Sequence, residues 1–299
     1  MNKCYCGKEP IVVLPYSSKY LCEKHFIKMF DKRFRKTVRL FSMIRKGDRI
    51  AVGLSGGKDS CVLLQSLYQL QKDLPFELVA ITIDEGIKNY RAKTLKIAKK
   101  QCKELGIEHH VFSFKEVAGK TLDQIEKNDE EKLPCSFCGV IRRYMLNKGA
   151  KEVKANKLAI GHNLDDVAQT VLMNIMRNEP SRLARFNEPL FDDIKLVQRI
   201  KPLMLTPEKE IAIYALLKEI DLEHIECPYA RFAFRGHVRK MINESEERYP
   251  GTKFKIVNSF LEIEDALRKK YGQIKKIGSC SSCGEASSKG ICMFCKMIK

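Results

Sequence analysis

The sequence has no run of about 18 uncharged apolar residues, and its start, Met1-Asn2-Lys3-Cys4, lacks the apolar stretch of a signal peptide. Neither membrane insertion nor export is therefore expected, and a cytoplasmic location is. Internal repeats and long low-complexity tracts are also missing. Acid is scarce: 37 Asp and Glu face 55 Lys and Arg, a formal charge of +18. An excess of that size attracts polyanions, which points to nucleic acid as a partner, although a solvated basic surface would carry the same count. Without an export signal the twelve cysteines belong to a reducing compartment, where clustered thiols are metal ligands rather than a disulfide framework. At 299 residues, 44% of them hydrophobic, the chain suits one large domain or two, with small appendages.

The cysteines fall into groups. Cys4, Cys6, Cys22 and His25 offer three sulfurs and an imidazole, a tetrahedral structural zinc set. Cys280, Cys283, Cys292 and Cys295 form two Cys-x2-Cys knuckles, the arrangement of a zinc ribbon whose four thiolates close the coordination shell. Cys135, Cys138 and Cys227 lie between, and Cys61 and Cys102 stand alone.

Apolar residues from Phe26 to Ile44 recur at helical spacing and predict a linking helix ended by Gly47-Asp48. Strands are expected at 49–54, 77–84, 107–114 and 157–160, with helices at 60–72 and 90–105 between them. This alternation predicts an α/β fold, a parallel sheet with helices on both faces and ligands at the carboxyl ends of the strands. The first strand runs through Gly53 and Leu54 into Ser55-Gly56-Gly57-Lys58-Asp59-Ser60. Adjacent glycines let backbone approach an anion, and the following helix points its N–H groups at it, so this is a phosphate loop. It is not a Walker A loop, because Val52 stands where the first glycine should and Asp59 where the Ser/Thr should. At the end of the second strand Ile83 and Asp84 either flank a nucleoside or are a core residue and an ordinary strand-end carboxylate.

Cys135 and Cys138 lie in a loop expected to precede the basic helix 140–147, where the helix dipole, Arg142 and Arg143 should lower a thiol pKa. A second loop, Gly161-His162-Asn163-Leu164-Asp165-Asp166, precedes another helix, whose dipole alone would favour the two carboxylates. Loops with a short strand are expected over 179–205, then a helix at 207–219. From Arg231 to Arg248 and along a continuing helix to about 269, basic residues form a candidate RNA-binding face. Boundaries near 30 and 275 divide the chain into an N-terminal zinc finger (1–30), a central catalytic domain (31–275) and a C-terminal zinc ribbon (276–299).

The Ser-Gly-Gly-Lys-Asp-Ser loop resembles the PP-loop of N-type ATP pyrophosphatases, which implies a Rossmann-like PP-loop fold. Together with the terminal cysteine sets, Cys-Ser-x-Cys-Gly, Gly-His-Asn-x-x-Asp and the late Cys-Pro, it resembles the tRNA 2-thiouridine synthetases across nearly the whole chain. The likeness is to the iron–sulfur branch of archaea and bacteria, related to the eukaryotic cytosolic tRNA thiolation subunit. The resemblance implies that uridine O2 attacks the α-phosphate of ATP, pyrophosphate leaves, and sulfur then displaces AMP from C2. Residues 53–60, Ile83, Asp84, Gly161, His162 and Asp166 would hold ATP and Mg²⁺, Arg142 would stabilise charge at phosphorus, and Asp166 would position Mg²⁺ or a proton. Cys135, Cys138 and Cys227, one thiolate short of saturation, would bind a 4Fe–4S cluster whose open iron carries hydrosulfide. A persulfide on one cysteine resolved as a disulfide by another is the rival route. Two zinc ions, tRNA, a sulfur donor that is sulfide or a thiocarboxylated ubiquitin-like protein, and a homodimer complete the expectation.

Two other classes compete. A PP-loop ligase acting on a small substrate would explain ATP use but neither the charge nor the cysteine trio. A zinc-dependent RNA binder would leave the phosphate loop without purpose.

Overall fold

The alternation of strand and helix builds one five-stranded parallel sheet. The computed structural model describes residues 3–127, 134–186, 196–222, 227–229, 234–271 and 278–298. A hairpin of β1 (Val12–Leu14) and β2 (Lys19–Leu21) precedes α1 (Glu23–Leu40). The core then runs β3 (Arg49–Gly53), α2 (Lys58–Leu70), β4 (Glu77–Asp84), α3 (Arg91–Leu105) and β5 (Glu108–Ser113). Two short helices, α4 (Phe114–Ala118) and α5 (Leu122–Lys127), lead to α6 (Pro134–Glu152), β6 (Lys157–Ala159) and α7 (Leu164–Met176). After α8 (Pro180–Leu183) and β7 (Gln198–Ile200) come α9 (Glu208–Leu217), α10 (Phe234–Arg248) and α11 (Thr252–Tyr271). The small C-terminal module is the β8 (Gly278–Ser279) and β9 (Ala286–Ser287) pair with α12 (Met293–Ile298).

The sheet order is β5-β4-β3-β6-β7. The order reverses between β3 and β6, so the loops leaving these two strands part and open a crevice at their carboxyl ends. Side chains alternate between faces, as a pleated strand requires. Ile50, Val52, Ala80, Ala159 and Ile200 pack with α1, α2, α7 and α9, whereas Ala51, Val79, Ile81 and Leu158 pack with Ala150 and Val153 at the end of α6. No described helix is long and apolar enough to cross a membrane.

Several boundaries differ from the sequence expectations. The linking helix runs over Glu23–Leu40 rather than to residue 45, so the division near residue 30 falls inside α1. Phe26 and Phe30, both fully buried, belong to the main core, and Phe30 stacks on Tyr214 at 3.9 Å between centroids. The other division, near 275, lies outside the described residues. The expected helix to about 269 is two helices, because Pro250 removes a backbone donor and Gly251 turns at φ 92°. Helix α6 begins at Pro134, so Cys135 and Cys138 stand in its first turns instead of a preceding loop; proline at the first position is compatible with a helix start.

Candidate active site

At the crevice lies a cavity of about 340 Å³. Its walls come from four places: Gly53, Leu54, Ser55, Asp59 and Ser60 of the first loop; Ile83 and Glu85 at the end of β4; Gly139, Arg142 and Arg143 of α6; and Gly161 with His162 of the second loop.

The first loop is braced from within. The Ser60 hydroxyl donates to Gly57 O at 2.9 Å and accepts from Ser55 N–H at 3.1 Å. Gly57 caps α2 in extended conformation and has no side chain to cap the helix, and its own N–H donates to Ser55 Oγ at 3.3 Å. Gly56 has φ 80°, and a Cβ there would lie 2.0 Å from Thr94 O, so only glycine fits. Asn163 Nδ2 donates to Asp59 Oδ1 at 3.2 Å and joins the two loops. Gly161 allows this approach, since a Cβ on it would meet the Asp59 and Ser60 backbone at 3.1 Å.

Charge around the cavity is organised in pairs. Lys58 Nζ lies 2.7 Å from Glu208 Oε1 and 3.0 Å from Asp59 Oδ2. Burial acts against its charge, but the two carboxylates prevail and raise its pKa. The Asp59 carboxyl is raised by burial, against the pull of Lys58. Asp166 closes a capping box with Asn163 at the start of α7, and burial pushes it up to about 6 even with Arg235 3.8 Å away. Its neighbour Asp165 is structural, because it pairs with buried Lys253 and accepts from Glu208 N–H at 2.8 Å. His162 keeps an open face to the cleft. Desolvation, joined by Lys201, Arg235, Arg199 and Arg142, pushes its imidazole down to about 3.

Glu85 is the buried centre of the opposite wall. Arg91 Nε lies 3.0 Å from one of its oxygens and Arg142 Nη1 3.6 Å from the other. Arg91 also donates to Ser55 O at 2.8 Å and to Ile83 O, which ties the phosphate loop to the end of β4.

Beyond Arg142 stand the three cysteines. The Cys135 thiol donates to Tyr229 O at 3.2 Å, and Tyr229 Oη donates to Asp123 at 2.9 Å, which holds Cys227 beside α6. Each of Cys138 and Cys227 senses Cys135, Glu85 and Arg142 electrostatically. The expected lowering of thiol pKa is overturned at Cys138, which burial pushes up to about 11, outweighing Arg142. Cys227 is likewise raised, first by burial.

Among the described residues, the sets whose ligand atoms all lie within 4.8 Å of one another are the two terminal ones. Sulfurs about 2.3 Å from one zinc ion stand about 3.8 Å apart; Cys6 and Cys22 are 3.8 Å apart and Cys283 and Cys292 3.7 Å. Cys4 Sγ lies 3.2 Å from His25 Nδ1 despite its one-residue spacing from Cys6. Cys135, Cys138 and Cys227 do not form such a set.

The PP-loop domain family matches residues 24–246 of this chain. A tRNA-5-methyluridine(54) 2-sulfurtransferase from Pyrococcus horikoshii is 37% identical over 98% of this chain and 93% of its own. The cytoplasmic tRNA 2-thiolation protein 1 of Dictyostelium discoideum is 36% identical over 97% of this chain and 80% of its own. The chain belongs to the PP-loop family of tRNA 2-thiolation proteins. The solved structure of the U34-tRNA thiolase NcsA from Methanococcus maripaludis, with its [4Fe-4S] cluster, matches at a TM-score of 0.86 and 37% identity, covering 99% of this chain and 95% of that one.

In this PP-loop protein the structure brings Gly53, Leu54, Ser55, Asp59, Ser60, Ile83, Arg142, Gly161 and His162 to one cavity. Gly56, Gly57 and Lys58 belong to the same loop, but Lys58 turns to Glu208 on α9; the Asp84 carboxylate accepts from Gly86 N–H at 2.9 Å. Sequence reasoning passed over Glu85, Arg91 and Arg199, and named Arg143 only for its effect on the cysteines. An ionisable residue just past a buried strand, as Glu85 is, was the available signal; nothing local marked Arg199.

Proposed function

We propose that this chain is an ATP-dependent tRNA sulfurtransferase that adenylates O2 of a uridine and replaces it with sulfur to give 2-thiouridine. The observation that carries the reading is the single crevice where a phosphate loop and Arg142 meet, with Cys138 one helical turn before Arg142.

In the first half, the N–H groups of Gly56, Gly57 and the α2 terminus and the hydroxyls of Ser55 and Ser60 receive the ATP phosphates. Lys58 exchanges Glu208 for phosphate oxygens. Gly53, Leu54, Ile83, Asp84, Gly161 and His162 border the nucleoside. Asp59 and Asp166, both raised by burial, make a pair of acids that a cation would relieve; they fit Mg²⁺, which supplies neutralisation of phosphate charge. Arg142, held by Glu85, faces the reacting phosphorus as O2 attacks and pyrophosphate leaves. Asp166 is also suited to hold a proton near neutral pH.

Three thiols and no fourth fit a 4Fe–4S cluster with one open iron, whose chemistry is the delivery of sulfur to C2. Cys135, Cys138 and Cys227 would hold it, with Arg142 between them and the nucleotide. Zn²⁺ in the two terminal sets completes the cofactors. The partners we propose are tRNA, a sulfur source that is sulfide or a thiocarboxylated ubiquitin-like protein, and a second copy of the chain; the proposed location is the cytoplasm.

The test is pyrophosphate release with and without tRNA, coupled to mass spectrometry of the tRNA nucleosides. Release that requires tRNA, with 2-thiouridine as product, is expected. Release without tRNA would make the chain a small-substrate ligase, and no release would make it a binder.

A further inference from the structure

Beside the ATP cavity lies a second cleft of about 580 Å³, bounded by α6, α7, α8 and β7. Arg143, Ile160, His162 and Arg199 line both, so the two spaces share a wall. Arg143, Arg177, Arg182 and Arg185 stand exposed along it, and the half-buried Arg199 and Lys201 line its interior. Arg235 of α10 reaches in, donating to Gln169 and Thr170 at 3.1 Å. Among the described residues, no Asp or Glu lines the cleft.

Seven cations in one cleft repel one another unless an anion joins them. Among the described residues, three carboxylates approach from outside the lining: Glu179, 3.1 Å from Arg182, Asp166, 3.8 Å from Arg235, and Glu264, which acts on Lys201. They do not balance the set. Burial and Arg143 push Arg199 down to about 10, and burial, with Arg199 and against Glu264, pushes Lys201 down to about 7. Arg143 is lowered by burial, Arg142 and Arg182. Aromatic faces accompany the charge: Lys201 lies 3.5 Å over the Phe186 ring and Arg177 4.7 Å over Phe234, itself partly exposed at the rim.

We propose that this cleft receives the single-stranded RNA segment that carries the target uridine, with its phosphates against the arginines and the reacting base passed across the shared wall to the ATP cavity. A basic groove with aromatic platforms is the architecture that takes single-stranded nucleic acid. A base must also be unstacked before its O2 can reach phosphorus, which favours a loop over a duplex. The sequence had pointed to residues 231–248 and the helix beyond; Arg231 lies outside the described residues, and Arg235 is the member of that stretch that meets the cleft. The inference rests on the tRNA reading above.

The test compares Arg177→Gln/Arg182→Gln/Arg185→Gln with Lys96→Gln/Lys99→Gln/Lys103→Gln, an exposed triple on α3 that removes the same charge. Affinity for tRNA is measured against salt, with ATP binding alone as the control for folding. Each phosphate contact contributes a slope of about 0.7 to 0.9 in log affinity against log salt, so the cleft triple should flatten the slope by about 2. The α3 triple should keep the wild-type slope, and both should bind ATP as the wild type does. A cleft triple with wild-type affinity and slope overturns the proposal, as does an equal loss from the α3 triple. Polyglutamate that displaces tRNA from the wild type at matched charge concentration would assign the cleft to an acidic polypeptide instead. Wild-type protein that binds no tRNA removes the functional reading and this one together, whereas wild-type binding with unaltered cleft-variant binding removes the cleft alone.

Discussion

Glu85→Gln isolates the charge that the two arginines share. The Glu85 side chain is 5% exposed and Arg91 4%, at 3.0 Å. Glutamine keeps the shape but leaves Arg91 buried without its counter-charge, and removing one partner of a buried pair costs about 3 to 5 kcal/mol. With a urea dependence of about 3 kcal/mol per M, the unfolding midpoint should fall by about 1 to 1.7 M. Arg91 also holds Ser55 O, and Arg142 leans on the same carboxylate. The KM for ATP should therefore rise along with the loss of stability, and kcat for pyrophosphate release should fall. Urea unfolding at constant zinc loading, run beside pyrophosphate kinetics, reads both. In Glu85→Gln/Arg91→Gln the stranded cation is gone, so the double variant should lose less than the sum of the singles, by about 0.5 to 3 kcal/mol. A wild-type midpoint for Glu85→Gln, or strictly additive losses, would show that the carboxylate is not the shared counter-ion.

Lys58→Ala should abolish tRNA-dependent pyrophosphate release while tRNA binding survives, because Lys58 sits in the phosphate loop and outside the basic cleft; normal release would remove it from the chemistry. Cys227→Ala, purified anaerobically, should lose iron and the broad visible absorbance, keep zinc, still release some pyrophosphate and make no thiouridine. Iron retained with normal thiolation refutes the role of Cys227, and an active wild type that never holds iron favours the persulfide route. Asp166, raised from 3.8 to about 6, binds its proton more tightly folded than unfolded. It supports stability below pH 3.8, and that support is lost as pH rises through 6. The stability of Asp166→Asn relative to wild type, followed by urea unfolding, should therefore rise across that window; a constant difference from pH 4 to 7 would contradict it.

What the sequence by itself determined is the part written in contiguous residues. Ser55 to Ser60 specify a strand–loop–helix because glycine conformational freedom and a bare helix start are local properties, and the alternation of strands and helices carries the parallel sheet. The terminal cysteine sets were legible for the same reason, since short spacings bring ligands together with little help from the rest of the chain. Tertiary structure decided what depends on distance across the fold. It set Cys138 half-buried near the start of α6, where desolvation outweighs Arg142. It turned Lys58 toward Glu208, 150 positions away. It drew Arg143, Arg177, Arg182, Arg185, Arg199 and Lys201 from three helical segments and a strand into one cleft, although the sequence scatters them. Charge and burial act through space, so residues whose function rests on those two quantities become visible only once the sheet order has brought them together.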